Sequence, residues 1–327
     1  MDQNNAFANR NCFKFMIRPL KIQFYFSFVA ITHKPPVKRS EIALLVIYNA
    51  LWVIDVSSKI YCFQVSRLNV FSFAMVQRLL SSCAWWAVYR QRYKIRNSLQ
   101  HLYSLRCSSA GSDTYCSGLT LRLVITLLLL SACIPGFYSA YVFVKRHENH
   151  SLTQGRKCSS LIRVSESQHE ASVVYFLWQV LDQHLDWSIH YAIAVLYCFS
   201  CVQLSSIVRA LCSTDNLESQ RIWQRYYSVR RYLKEIEERY SFLIFIFMGR
   251  AFVEFFRVLT FFLNKTEVII DVLFSAVAIF YSCIVVSVFL CVVFSANTLQ
   301  CNYRKLCEMM TELPRNMYCA DTDLEAS

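Results

Sequence analysis

Glycine and proline are scarce, five of each in 327 residues. That excludes any glycine-rich phosphate cradle, and neither GxGxxG nor GxxxxGK[ST] occurs. Charge is also low, at 17% of residues. No His-Glu-x-x-His pattern is present; His184 and His190 are six apart, and His147, Glu148 and His150 stand together without a sulfur or carboxylate frame. No catalytic constellation, metal site or cofactor is expected. The first 23 residues hold Arg10, Lys14, Arg18 and Lys21 without an apolar core, so no cleavable signal peptide is expected.

Apolar residues are abundant. They make up 55% of the chain, aromatics reach 15%, and mean hydropathy is +0.32. This is an integral-membrane composition. The net charge of +12 lies mostly in segments between apolar runs, which fits membrane topology and not nucleic-acid binding. Most of the 15 cysteines fall inside or beside those runs, where they act as small apolar residues. Cys198-x-x-Cys201 is mid-run and carries no redox expectation.

An all-α, polytopic transmembrane bundle is the expected fold. Six spans are predicted: 42–62, 70–88, 119–144, 171–207, 241–263 and 268–294. Residues 1–41 form a basic leading segment, with a short apolar patch from Phe24 to Ile31 before Pro35-Pro36. Residues 295–327 form a polar trailing segment without a further apolar run. The fourth stretch, Ala171–Ile207, is longer than a bilayer needs and has no Gly, Pro, Lys or Arg. If the N-terminus is cytosolic, 22 Lys and Arg lie inside and 7 outside, which favours that orientation. The sequons at Asn149 and Asn264 then both fall outside and are candidate glycosylation positions.

This orientation places polar groups of five spans at similar outer depth: Asp55, Gln77 and Arg78, Asp182 and Asp186, Glu254 and Arg257, and Asp271. Asp182, Asp186 and His190 are spaced i, i+4, i+8 and share one helix face. Ionisable groups at membrane depth face a cavity, a partner or a site. The expected ligand set is Gln77, Arg78, Asp182, Asp186, Trp187, His190, Glu254 and Arg257. Trp85, Trp86, Tyr175, Trp178, Phe255 and Phe256 are available as further aromatic lining. Two plainer readings stand beside this one. Asp182, His184 and Asp186 could be a solvated face above the membrane, and Arg250, Glu254 and Arg257 could simply pair along one helix.

The basic segment Tyr89–Arg106 (YRQRYKIRNSLQHLYSLR), the long fourth helix, the charged segment Leu217–Tyr240 (LESQRIWQRYYSVRRYLKEIEERY) and Ser295–Pro314 (SANTLQCNYRKLCEMMTELP) give the chain a pattern that resembles the insect gustatory receptor family. The resemblance implies a seven-helix chemoreceptor inverted relative to G-protein-coupled receptors. It also implies assembly with other subunits, as a homo- or hetero-tetramer, into a ligand-gated cation channel. The first six helices would enclose a pocket for a small-molecule tastant, and the seventh would line the pore. That family's Thr-Tyr-x5-Gln-Phe signature is not in this sequence; Thr114-Tyr115 is followed by CSGLT. The expectation is therefore a sensing bundle over 42–294 without the conducting helix. A G-protein-coupled receptor needs the opposite orientation. A small-solute transporter fits the intramembrane carboxylates but lacks an internal repeat.

Overall fold

The computed structural model describes residues 24, 29, 39–66, 70–109, 168–213, 219–263 and 272–312. Among these there are five helices and no strand: α1 (Arg39–Ser66), α2 (Val70–Ser109), α3 (Gln168–Cys212), α4 (Ser219–Leu263) and α5 (Val272–Glu312). The expected span 119–144, Asp271 and both sequons lie outside the described residues.

Three helices contain a stretch long and apolar enough to cross a membrane: Arg39–Ser57 in α1, Val180–Cys212 in α3 and Ser282–Thr311 in α5. The expected spans on α2 and α4 are helical but do not meet that measure, because Gln77 and Arg78, or Arg250, Glu254 and Arg257, interrupt them. The helices outrun the expected spans. The basic segment after span 2 continues α2 to Ser109, and the charged segment before span 5 is the first half of α4. The segment after span 6 continues α5 to Glu312. Its polar composition hides an amphipathic stripe, since Leu299, Leu306 and Met310 are buried. At 1.5 Å per residue the 45 residues of α4 reach ~68 Å, about twice a bilayer's hydrocarbon thickness.

α3 is the central helix. Of its apolar window 83% is buried, against 17% in α1 and 28% in α5. Nothing in α3 breaks the ladder, and nearly every side chain from Leu185 to Leu196 is enclosed. α2, α4 and α5 surround it, each through a stripe at helical spacing. On α4 the stripe is Tyr232, Ile236, Tyr240, Leu243, Phe247 and Arg250. Phe242, Phe245, Phe252 and Phe255 on the same helix face outwards. Gly249, the one glycine among the described residues, lies within α4; a Cβ there would meet nothing within 4 Å.

Side-chain contacts fix the helix directions. Gln77 meets Glu254, and Ser98 meets Glu235, so α2 and α4 are antiparallel. Arg78 meets Asp182, and Arg106 meets Gln203, so α2 and α3 are parallel. Asn302 donates to Ser205 at 2.6 Å on the α3–α5 face. The end of α2 and the start of α3 therefore lie at opposite ends of the bundle.

Away from the expected membrane level, a polar knot ties α2 to α4. Ser98 Oγ donates to Glu235 at 2.6 Å, His101 Nδ1 lies 3.1 Å from Glu235, and Arg239 reaches Glu235 at 2.6 Å and the Lys94 carbonyl at 2.6 Å. Burial raises the Glu235 pKa; the Ser98 and His101 hydrogen bonds and Arg239 outweigh it and hold the carboxyl below its ordinary range. A depressed carboxyl contributes stability at neutral pH that is lost as pH falls through the lowered value. Melting of the purified chain should thus weaken below about pH 4. Glu235→Gln should lower stability at pH 7 and flatten that acid limb; an unchanged limb would remove Glu235 as its source.

Candidate functional site

A side chain that is charged and buried must be surrounded by opposite charge. Arg78 is 2% exposed, and its guanidinium is shared by three carboxylates: Asp55 of α1, and Asp182 and Asp186 of α3. The Asp186 contact is 3.0 Å from Nη1. Helical spacing makes this possible. Asp182 and Asp186 stack one turn apart on α3, and the parallel α2 presents Arg78 to both.

Arg250 on α4 is a second centre. Its Nη1 donates to Glu254 one turn on at 3.0 Å, its Nη2 lies 4.0 Å from Asp186, and its guanidinium covers the Trp187 ring at 4.2 Å. Gln77 Nε2 donates to Glu254 at 2.6 Å and closes the circuit from α4 back to α2. Asp186 thus stands between the two guanidiniums.

A hydroxyl completes the cluster. Ser81 Oγ lies 3.0 Å from the Gln77 carbonyl, 2.9 Å from the Asp186 carbonyl and 3.1 Å from His190 Nε2. Its single proton is shared among these three neighbours. His190 is 0% exposed and Nδ1 has no hydrogen-bond partner; the same holds for the hydroxyl of Tyr191, 2% exposed. Both sit around the Trp187 ring, whose centroid is 6.3 Å from His190 and 5.5 Å from Tyr191. Buried polar atoms are nearly always satisfied, and Asp186 Oδ1 and Arg250 Nε in the same cluster also have no hydrogen-bond partner.

The structure thus brings together Gln77, Arg78, Asp182, Asp186, Trp187, His190 and Glu254. Arg257 lies on α4, with its side chain outside the described ones. Asp186 and His190 are buried, so a solvated face above the membrane is excluded for them. Arg250 and Glu254 do pair along their helix, yet Glu254 also bonds to α2. The aromatic wall is smaller than the sequence implies. Trp86, Phe255 and Phe256 are 46%, 56% and 54% exposed and do not line the cluster. Trp85 is buried but stacks on Tyr48 at 3.9 Å instead; the side chains of Tyr175 and Trp178 are outside the described ones. Asp55, Ser81, Tyr191 and Arg250 are the additions. Asp55 and Arg250 are visible in the sequence as charges within spans, whereas nothing local distinguishes Ser81 or Tyr191 from other span residues.

Removing one partner of a buried charge network leaves the others uncompensated. Arg78→Met should cost about 3–5 kcal/mol of stability, whereas Asp182→Asn, which is partly exposed and leaves Arg78 with two carboxylates, should cost less. Thermal unfolding of the detergent-solubilised variants would show this, and a mild Arg78→Met would mean the cluster is solvated.

Among known proteins, no family model matches this chain and no curated protein matches it.

Proposed function

We propose that this chain is a chemosensory receptor subunit of the gustatory type. It would lie in the plasma membrane with six spans and a cytosolic N-terminus, and bind a small tastant from outside. The observation that carries the reading is the burial of polar groups from four helices at one end of the bundle, with the His190 Nδ1 and Tyr191 hydroxyl left over. The parallel directions of α2 and α3 support this reading, in which both cross the membrane and one further span lies between them. The Lys and Arg distribution supports the orientation.

In this reading Gln77, Arg78, Asp182, Asp186, Trp187, His190, Glu254 and Arg257 surround the ligand. Before it arrives, the two guanidiniums and the carboxylates neutralise one another. A ligand that exchanges some of these partners for its own groups favours a different spacing of α1 to α4. Only that difference in affinity between states can drive signalling. Channel activity follows from the family resemblance alone, and requires partner subunits or a conducting helix. The chain acts by binding and not by catalysis in this reading.

Two measurements test it. An N-terminal epitope should be detected only after permeabilisation; detection on intact cells would support the G-protein-coupled alternative. In cells co-expressing conducting subunits, Asp186→Asn, compared with the parent at matched surface expression, should shift the half-maximal tastant concentration at least tenfold, about 1.4 kcal/mol. An unchanged dose response would place the ligand elsewhere. Solute uptake without any evoked current would favour a transporter.

A further inference from the structure

The geometry points to α1 being a strut that moves as one body, coupling the Arg78 cluster to the opposite end of the α1–α2 pair. Among the described side chains of α1, three are buried: Glu41, Tyr48 and Asp55. They are spaced seven apart, so they lie along one line of the helix. Each meets one α2 residue. Asp55 pairs with Arg78. Tyr48 stacks on Trp85, centroids 3.9 Å apart and planes 5° apart. Glu41 lies 3.9 Å from Arg92. The α2 partners are also seven apart, which makes a single antiparallel seam.

The seam continues as a column on the α2 side. Trp85 stacks on Tyr89 at 5.1 Å, and the Arg92 guanidinium lies over Tyr89 at 4.0 Å and over Tyr93 at 4.4 Å. A charge pair therefore closes each end, and flat rings fill the space between. Among the other described side chains of α1, Leu45, Leu51 and Trp52 are half-buried and packed against the core, while Ile42, Val46, Ile47, Val53 and Ile54 are about half exposed.

The mechanical behaviour of the helix follows from these three supports. Arg39–Ser66 contains no Gly or Pro, so the helix transmits displacement instead of bending. Breaking the ion pair at one end turns the helix about the stacked rings, because those rings are its middle support. And Asp55 is the end that touches the Arg78 cluster, so any rearrangement there is felt ~21 Å away at Glu41. The coupling holds whether or not that cluster binds a ligand.

The test reads one end while disturbing the other. Spin labels on non-canonical residues, introduced at exposed Ser40 and Asn97, report the Glu41 end; labels at exposed Ser57 and Val76 report the Asp55 end. In the full chain in nanodiscs, Asp55→Asn should add a population in the Ser40–Asn97 distances about one helical turn (~5 Å) away from the parent peak. Glu41→Gln should do the same at Ser57–Val76. Removing the middle support by Tyr48→Ala should make both responses local. Asn302→Ala, on the α3–α5 face, should change neither distance. If Asp55→Asn does not fold, the Glu41→Gln arm decides alone. Distance distributions at the far end that match the parent would overturn the strut.

Discussion

A guanidinium that cannot reach water is the constraint on which this bundle depends. Three of the helices carry a stretch long and apolar enough to cross a membrane, and in lipid apolar burial would give such helices little reason to associate, since tails are as apolar as leucine. Close packing and polar contacts have to hold them together. Arg78 cannot stay charged in such surroundings without carboxylates in contact. Those carboxylates come from α1 and α3, which makes one residue of α2 a common point for three helices. Arg250 makes a second such point between α4 and α3, and Asp186 belongs to both.

The same constraint separates the two ends of the molecule. Around Arg78 and Arg250 the ion pairs are enclosed, and truncating one leaves an uncompensated charge. Around Glu235 the knot is partly exposed, and the carboxylate is held by hydrogen bonds from Ser98 and His101 and by Arg239. Between the two ends the buried side chains are mostly apolar or aromatic, from Tyr191 to Phe199 on α3 and from Tyr240 to Phe247 on α4. A polar lock stands at each end of a packed middle.

Much of this is legible in the sequence because burial leaves a chemical trace. The i, i+4, i+8 spacing of Asp182, Asp186 and His190 in an otherwise apolar run announces an inward polar face. Glu235 and Arg239, one turn apart, announce the helix that is the first half of α4. The unbroken α3 follows from the absence of Gly and Pro along it. What stays hidden is whatever depends on facing residues. Trp85, Trp86, Phe255 and Phe256 are alike in sequence, and only the helix partners decide which is buried. The continuation of α5 past Phe294 is hard to see because its stripe is three residues, Leu299, Leu306 and Met310, dispersed among polar neighbours. The seam of α1 is equally invisible: Glu41 lies at the edge of its span and Arg92 in a basic stretch, so neither suggests the other.

Gly249 adds a mechanical property to this picture. Glycine weakens a helix interior by about 1 kcal/mol relative to alanine, and here the surroundings do not demand it, since a methyl group would fit. It immediately precedes Arg250. The softest joint of a 45-residue rod is therefore placed beside one of its two charged anchor points. Intrinsic helix propensity in α4 is therefore lowest one residue away from the point where buried charge holds the helix to its neighbours.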